Sequence, residues 1–89
     1  MKSTATRRFW ALLRALPPDV QILAEKNYQL WRQDPSHPSL HFRRLQGNSD
    51  RYTVRVGEHY RALGSLSGDT VAWLWIGSHA EYDRLTGRG

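Results

Sequence analysis

The sequence predicts an α+β fold: an N-terminal helical hairpin packed on one face of a four-stranded antiparallel sheet, followed by a short C-terminal helix. Three observations carry this. Apolar residues recur at helical spacing as far as Trp31, the spacing drops to two beyond Ser39, and an S-x-x-E segment followed by glycine closes the chain.

Phe9, Leu12, Leu13 and Leu16 fall at i, i+3, i+4 and i+7, the stripe of a short helix that Thr6 is placed to cap. Pro17-Pro18 ends it. The second proline suits the first position of a new helix, where its missing N–H would have had no partner, and Asp19 in the first turn complements the helix dipole. Val20, Leu23, Ala24, Leu30 and Trp31 give a looser stripe that stops at Asp34, because Pro35 disfavours helix in the residue before it. The two helices meet at the Pro-Pro corner as a hairpin. Trp10, Tyr28 and Trp31 sit near these stripes as core or rim packing.

From here the chain reads as strands. Leu40 and Phe42, with Leu45 as a further member, mark the first, and Gly47-Asn48-Ser49-Asp50 a turn. Tyr52, Val54 and Val56 alternate with Thr53 and Arg55 in the second, and Gly57 opens the next turn. His59 to Leu66 is the third, Ser67-Gly68-Asp69 a turn, and Thr70 to Ile76 the fourth. In that last strand Val71, Trp73 and Trp75 share one face and Ala72, Leu74 and Ile76 the other, the pattern of a strand covered on both sides. Gly77 ends it. Ser78-His79-Ala80-Glu81 has capping-box spacing, so a helix starts at His79, and Gly87 stops it.

With 89 residues the chain is one domain, 1–89, and a chain this short buries only about 60% of its unfolded surface. The absence of cysteine excludes a disulfide framework, a thiolate zinc site and a thiol nucleophile, and is compatible with a reducing cytosol. No apolar run approaches the roughly 20 residues of a membrane span, and the basic start lacks the apolar stretch of a signal peptide. A cytoplasmic location with no membrane contact is the expectation. The net charge of +5 comes from eleven arginines and only two lysines, Lys2 and Lys26. Arginine prefers planar anions such as phosphate and carboxylate, so nucleic acid is the first partner to consider and an acidic protein the second.

Pairing Val56 with Tyr60 across a three-residue loop, Gly57 to His59, keeps apolar opposite apolar. The same register sets Arg55 opposite Arg61 on the other face, where like charges repel. Either an anion such as phosphate binds between them, or both reach solvent or acidic neighbours such as Glu58 and Asp83. His79 and Tyr82 share a face of the terminal helix, and Asp83 is four residues from His79, close enough to orient its ring. The helix N-terminus favours a neutral imidazole, which can accept a proton. The alternative is a capping segment whose His and Tyr pack over the sheet end. Arg43 and Arg44 suit phosphate contact or a solvated face. Pro38 between His37 and His41 excludes the helix that would converge them, which argues against a metal site.

The hairpin Tyr52-Thr53-Val54-Arg55-Val56-Gly57 with His59-Tyr60-Arg61-Ala62-Leu63, and the ending Ile76-Gly77-Ser78-His79 with Tyr82-Asp83, resemble the RelE/ParE superfamily of toxin–antitoxin toxins. The resemblance spans roughly residues 7 to 85. It implies helices on one face of a curved antiparallel sheet. It also implies one of two activities: RelE-like members cut messenger RNA, commonly in the ribosomal A site, and ParE-like members poison DNA gyrase. The ribonucleases need no metal or other cofactor, since the ribose 2′-hydroxyl attacks the adjacent phosphate. Carried over, Arg61 matches a phosphate-stabilising arginine, His79 a position for proton transfer or phosphate contact, and Tyr82 a late aromatic that stacks on a base or assists catalysis. Arg55 matches a structural or RNA-binding position, and Arg43 and Arg44 are further candidates for RNA binding.

Members usually begin with a β-strand, for which only residues 1 to 5 are available here, so that strand is expected to be short or absent, and a missing strand would leave an open sheet edge for a partner to cover. The lysine cluster of ribosome-dependent members is absent too. The sequence therefore leads to a metal-independent endoribonuclease toxin with RNA, the ribosome as a candidate setting, and an antitoxin protein as partners. A gyrase inhibitor and a non-catalytic module that binds nucleic acid or antitoxin are the alternatives.

Overall fold

In the computed structural model, which describes residues 1–47 and 50–87, the Thr6 side chain accepts the Phe9 amide at 3.1 Å and starts the first helix, α1 (Arg7–Arg14). Pro18 opens α2 (Pro18–Gln33), which ends at Asp34 ahead of Pro35. A hairpin in close contact is not what forms. The helix α1 lies on Thr70–Ser78 and α2 on Arg51–Val56, and an apolar cavity of about 230 Å³ opens between the helices and the sheet.

Among the described residues the sheet has five strands, not four, and is mixed. Lys2–Ala5 forms β1, followed along the chain by β2 (Arg43–Arg44), β3 (Arg51–Val56), β4 (Tyr60–Ser67) and β5 (Thr70–Ser78), in the spatial order β1-β5-β4-β3-β2. All neighbours are antiparallel except β1, which runs parallel to β5 from Lys2 opposite Thr70 to Ala5 opposite Trp73. Of the two expected outcomes, a short or an absent first strand, the short one forms, and it covers the edge of β5 that an absent strand would have left open. Four residues are too few to display a period, and the partner strand lies more than sixty residues away. The Thr6 amide donates to the Trp73 carbonyl at 3.0 Å, and the Ser3 and Tyr28 hydroxyls, 2.6 Å apart, tie β1 to α2.

Leu40 does not start a strand. Proline is accepted at a first helical position, so Pro38–Leu40 winds into one 3-10 turn that buries Leu40 completely, and β2 is confined to the two arginines beyond it. The turn expected at Gly47-Asn48-Ser49-Asp50 lies partly outside the described residues.

The core between helices and sheet holds Trp31, Leu40, Val54, Val56, Ala62, Val71, Trp73 and Ile76. Trp31 is 1% exposed and meets Trp73 edge-on at 5.3 Å. Truncating a buried ring of this size costs about 3–5 kcal/mol. Along β5 the expected alternation breaks. Leu63 pairs with Trp75 and Gly64 with Trp73, which leaves Leu74 as an extra residue. This bulge returns Ile76 to the side of Val71 and Trp73 and turns Trp75 to the other side, onto Leu63 and Tyr82.

Strand β5 runs through Gly77 to Ser78 and passes directly into the last helix, α3 (His79–Thr86). An added Cβ on Gly77 would lie 2.5 Å from the Trp75 ring, so only glycine lets that ring cover the strand end. The capping box forms as expected: the Glu81 amide donates to Ser78 Oγ and the Ser78 amide to Glu81 Oε1, both at 3.2 Å.

Candidate active site

Strands β3 and β4 are joined through Gly57, whose φ of +66° belongs to the left-handed region that glycine enters without strain. Val56 pairs with Tyr60, and Arg55 stands directly opposite Arg61. Val54, Val56 and Ala62 point into the helix-covered core, so Thr53, Arg55 and Arg61 line the opposite face.

A cleft of about 470 Å³ opens there. Arg43 and Arg44 of β2 border one side, Arg55 and Arg61 form the floor, and His79, Tyr82 and Asp83 of α3 close the other side. The six candidate site residues Arg43, Arg44, Arg55, Arg61, His79 and Tyr82, together with Asp83, thus border one cavity. Two donors in it, Arg55 Nε and Thr53 Oγ1, are buried and have no hydrogen-bond partner among the described residues. Buried donors without acceptors are costly, and the two arginines beside them suit an anion.

The charges act in the same direction. Burial lowers the Arg61 pKa below its ordinary value first and the adjacent Arg55 charge adds to this, while Tyr82 and Asp83 work the other way. Arg61 donates one hydrogen bond, from Nη1 to the Tyr60 carbonyl at 2.9 Å, which fixes the direction of its fork.

His79 Nε2 lies 3.1 Å from an Asp83 oxygen, one helical turn apart, and half of the His79 side chain is exposed. The His79 amide is anchored on the His59 carbonyl at 2.7 Å, which couples the start of α3 to the β3–β4 loop. Tyr82 is only 6% exposed and packs against Trp75, with ring centroids 6.5 Å apart. Its ring is thus part of the packing under α3, and only its rim reaches the cleft.

His41 also lines the cleft, and the sequence reading considered it only as half of a metal pair. Its Nε2 is 3.3 Å from Arg55 Nη1 and its Nδ1 3.3 Å from Arg43 Nη2. The signal that could have found it is register: two residues back from Arg43, which pairs with Thr53, position 41 falls opposite Arg55. His37 turns elsewhere, its Nδ1 accepting from the Ser39 amide. Among the described residues no three His, Asp or Glu side chains are grouped to hold a metal ion.

A family model described as the ParE-like toxin domain matches residues 18–84. The chain belongs to this family. No curated protein matches it. Solved structures match it in fold. RelE in the RelB–RelE complex of Methanococcus jannaschii is 17% identical with a TM-score of 0.72, over 89% of this chain and 93% of that one. YafQ of E. coli is 10% identical with a TM-score of 0.72, over 91% and 96%. Isolated RelE of E. coli is 17% identical with a TM-score of 0.67, over 98% and 96%. At such identities the ParE-like chain shares the fold with these proteins. Among its described residues no helix is long and apolar enough to cross a membrane.

Proposed function

We propose that this chain is the toxin of a type II toxin–antitoxin system and acts as a metal-independent endoribonuclease on messenger RNA in the cytoplasm, thereby inhibiting translation. The observation that carries this reading is the opposed pair Arg55 and Arg61 at the floor of a cleft whose rim holds His79 in contact with Asp83. Guanidinium forks fit the non-bridging oxygens of a phosphate and are best matched to the phosphorane, where negative charge has grown. His79 supplies proton transfer and Asp83 orients it. Arg43 and Arg44 hold the flanking backbone by charge, without selecting sequence. The 2′-hydroxyl is the nucleophile, so the products are a 2′,3′-cyclic phosphate and a 5′-hydroxyl.

An antitoxin partner is supported by the family and by the RelE structures solved with RelB. The net charge of +5 suits an acidic antitoxin, which would also cover the basic cleft. The ribosome remains a candidate setting.

The label of the matched family, ParE-like, favours a second reading, inhibition of DNA gyrase. That activity needs no proton-transfer group, so His79 would be dispensable. Expressing the chain in bacteria while following growth, transcript integrity and plasmid supercoiling separates the two. Growth arrest with shortened transcripts and normal supercoiling is expected. Intact transcripts with impaired supercoiling would replace the ribonuclease with the gyrase inhibitor, and normal growth would leave a binding module.

A further inference from the structure

His41 closes the 3-10 turn with φ +47°, a left-handed conformation uncommon for a residue with a Cβ. Strand β2 starts two residues later, so the β2–β3 register carried back from Arg43 and Thr53 sets His41 beside Arg55. Arg55 in turn faces Arg61, and Arg61 faces Gly77, two residues before His79. One row across the sheet therefore runs from a histidine, over two arginines, to the strand end that carries a second histidine.

The surroundings of His41 are one-sided. Arg43 faces it from β2, Arg55 from β3 and Arg61 from β4, while Arg44 borders the same cleft and α3 brings His79, Tyr82 and Asp83 to the far rim, with Asp83 engaged by His79. A neutral imidazole has one acceptor nitrogen, yet a guanidinium stands 3.3 Å from each of the two. Protonation would leave two N–H groups facing two cations. The pKa of His41 is accordingly lowered, through lost solvent contact first and then through Arg55, Arg43 and Arg61. A phosphate seated on those arginines offsets part of their charge and so raises the proton affinity of the ring when substrate is present.

The geometry points to His41 as the catalytic base that takes the proton of the ribose 2′-hydroxyl, with His79 as the acid on the other side of the phosphate. This assignment rests on the endoribonuclease reading above. Displacement at phosphorus places the entering 2′-oxygen and the departing 5′-oxygen on opposite sides, so base and acid must flank the phosphate. The strand order provides this, since β2 and β5 lie three strand spacings, roughly 14 Å, apart with the two arginines between them. The 2′-O–H proton passes to His41, the 2′-oxygen forms its bond to phosphorus, the phosphorus–O5′ bond breaks, and the leaving oxygen receives a proton from His79. Solvent then returns His41 to the neutral form and His79 to the protonated one.

The test uses an RNA whose cleavage position has been mapped with the wild-type protein, made with oxygen or with sulfur at the 5′ leaving position. A thiolate leaves without being protonated. Asparagine tolerates left-handed backbone, so His41→Asn keeps the turn. His41→Asn is expected to slow both substrates about 100-fold or more, while His79→Asn slows the oxygen substrate and recovers on the sulfur one. Binding of the 2′-deoxy analogue by His41→Asn should stay within threefold of wild type. Wild-type rates in His41→Asn, recovery of that variant by sulfur, or loss of analogue binding in proportion to rate would overturn the assignment. If the wild-type protein cuts no RNA, the endoribonuclease reading falls with it; if it cuts and His41→Asn cuts equally, only the role of His41 falls.

Discussion

Arg55 on β3 and Arg61 on β4 stand directly opposite each other, on the sheet face away from α1 and α2. Like charges at opposed positions cost roughly 0.2–1 kcal/mol. A side chain that costs stability in the free protein and is satisfied by a bound anion points to a binding site.

Arg61→Gln should therefore separate stability from activity. At low salt its thermal midpoint is expected to rise by about 1–8 °C, the range that follows from relieving the pair in a domain of this size. RNA cleavage should fall about 100-fold to 1,000-fold, as when a transition-state donor is removed. Added salt should shrink the stability gain by screening. A scanning calorimeter and a cleavage assay check both, and a variant that is less stable at low salt contradicts the opposed-charge account.

His41 makes stability depend on pH in a definite direction. Its folded pKa lies below the ordinary 6.5, so the unfolded chain binds more protons in the interval between the two. The contribution is present above about 6.5 and is lost as pH falls through the lowered folded value. Urea titrations at pH 7.5 and pH 5 should show the wild type losing more stability than His41→Asn. Equal losses would mean that His41 is not held neutral by its surroundings.

Gly77→Ala is expected to destabilise the protein by about 1–3 kcal/mol, the usual cost of overpacking. The added Cβ would lie 2.5 and 2.8 Å from two Trp75 ring atoms and 3.2 Å from Glu81 Oε1. Trp75 must then move, and Tyr82 beneath α3 with it. Tryptophan fluorescence and urea unfolding measure the shift; an unchanged midpoint would show that the ring has room to spare.

Ser78→Ala removes the hydroxyl half of the capping box and should cost about 1 kcal/mol. Cleavage should fall with it, because the cap aligns the turn that holds His79 near Asp83. Ser78→Thr, which keeps the hydroxyl that accepts from the Glu81 amide and donates to its carboxylate, should restore most of both, as read by unfolding and cleavage rates together.

The strand register near the site could be read from the sequence because it is local. Val56, Tyr60 and the three residues between them fix the β3–β4 hairpin, and Arg55 opposite Arg61 follows from it. Ser78 and Glu81 fix the start of α3 in the same way. What escaped were features set by distant contacts. Pairing of β1 depends on β5 across the whole chain, and the bulge at Leu74 shows only when Leu63 and Gly64 are matched to their partners. The spread of α1 and α2 onto different strands is a packing outcome, not a periodicity. His41 was missed because Pro38 argues against an α-helix, and proline also opens a 3-10 turn that sends the histidine into the cleft.

Incubating the purified chain with messenger RNA, with and without ribosomes, and identifying the ends of any fragments is the most direct measurement. Fragments carrying 2′,3′-cyclic phosphate and 5′-hydroxyl ends in the presence of a chelator, absent with Arg61→Gln and His79→Asn, are the predicted result. Intact RNA under both conditions, or cleavage that survives both substitutions, would contradict the endoribonuclease account.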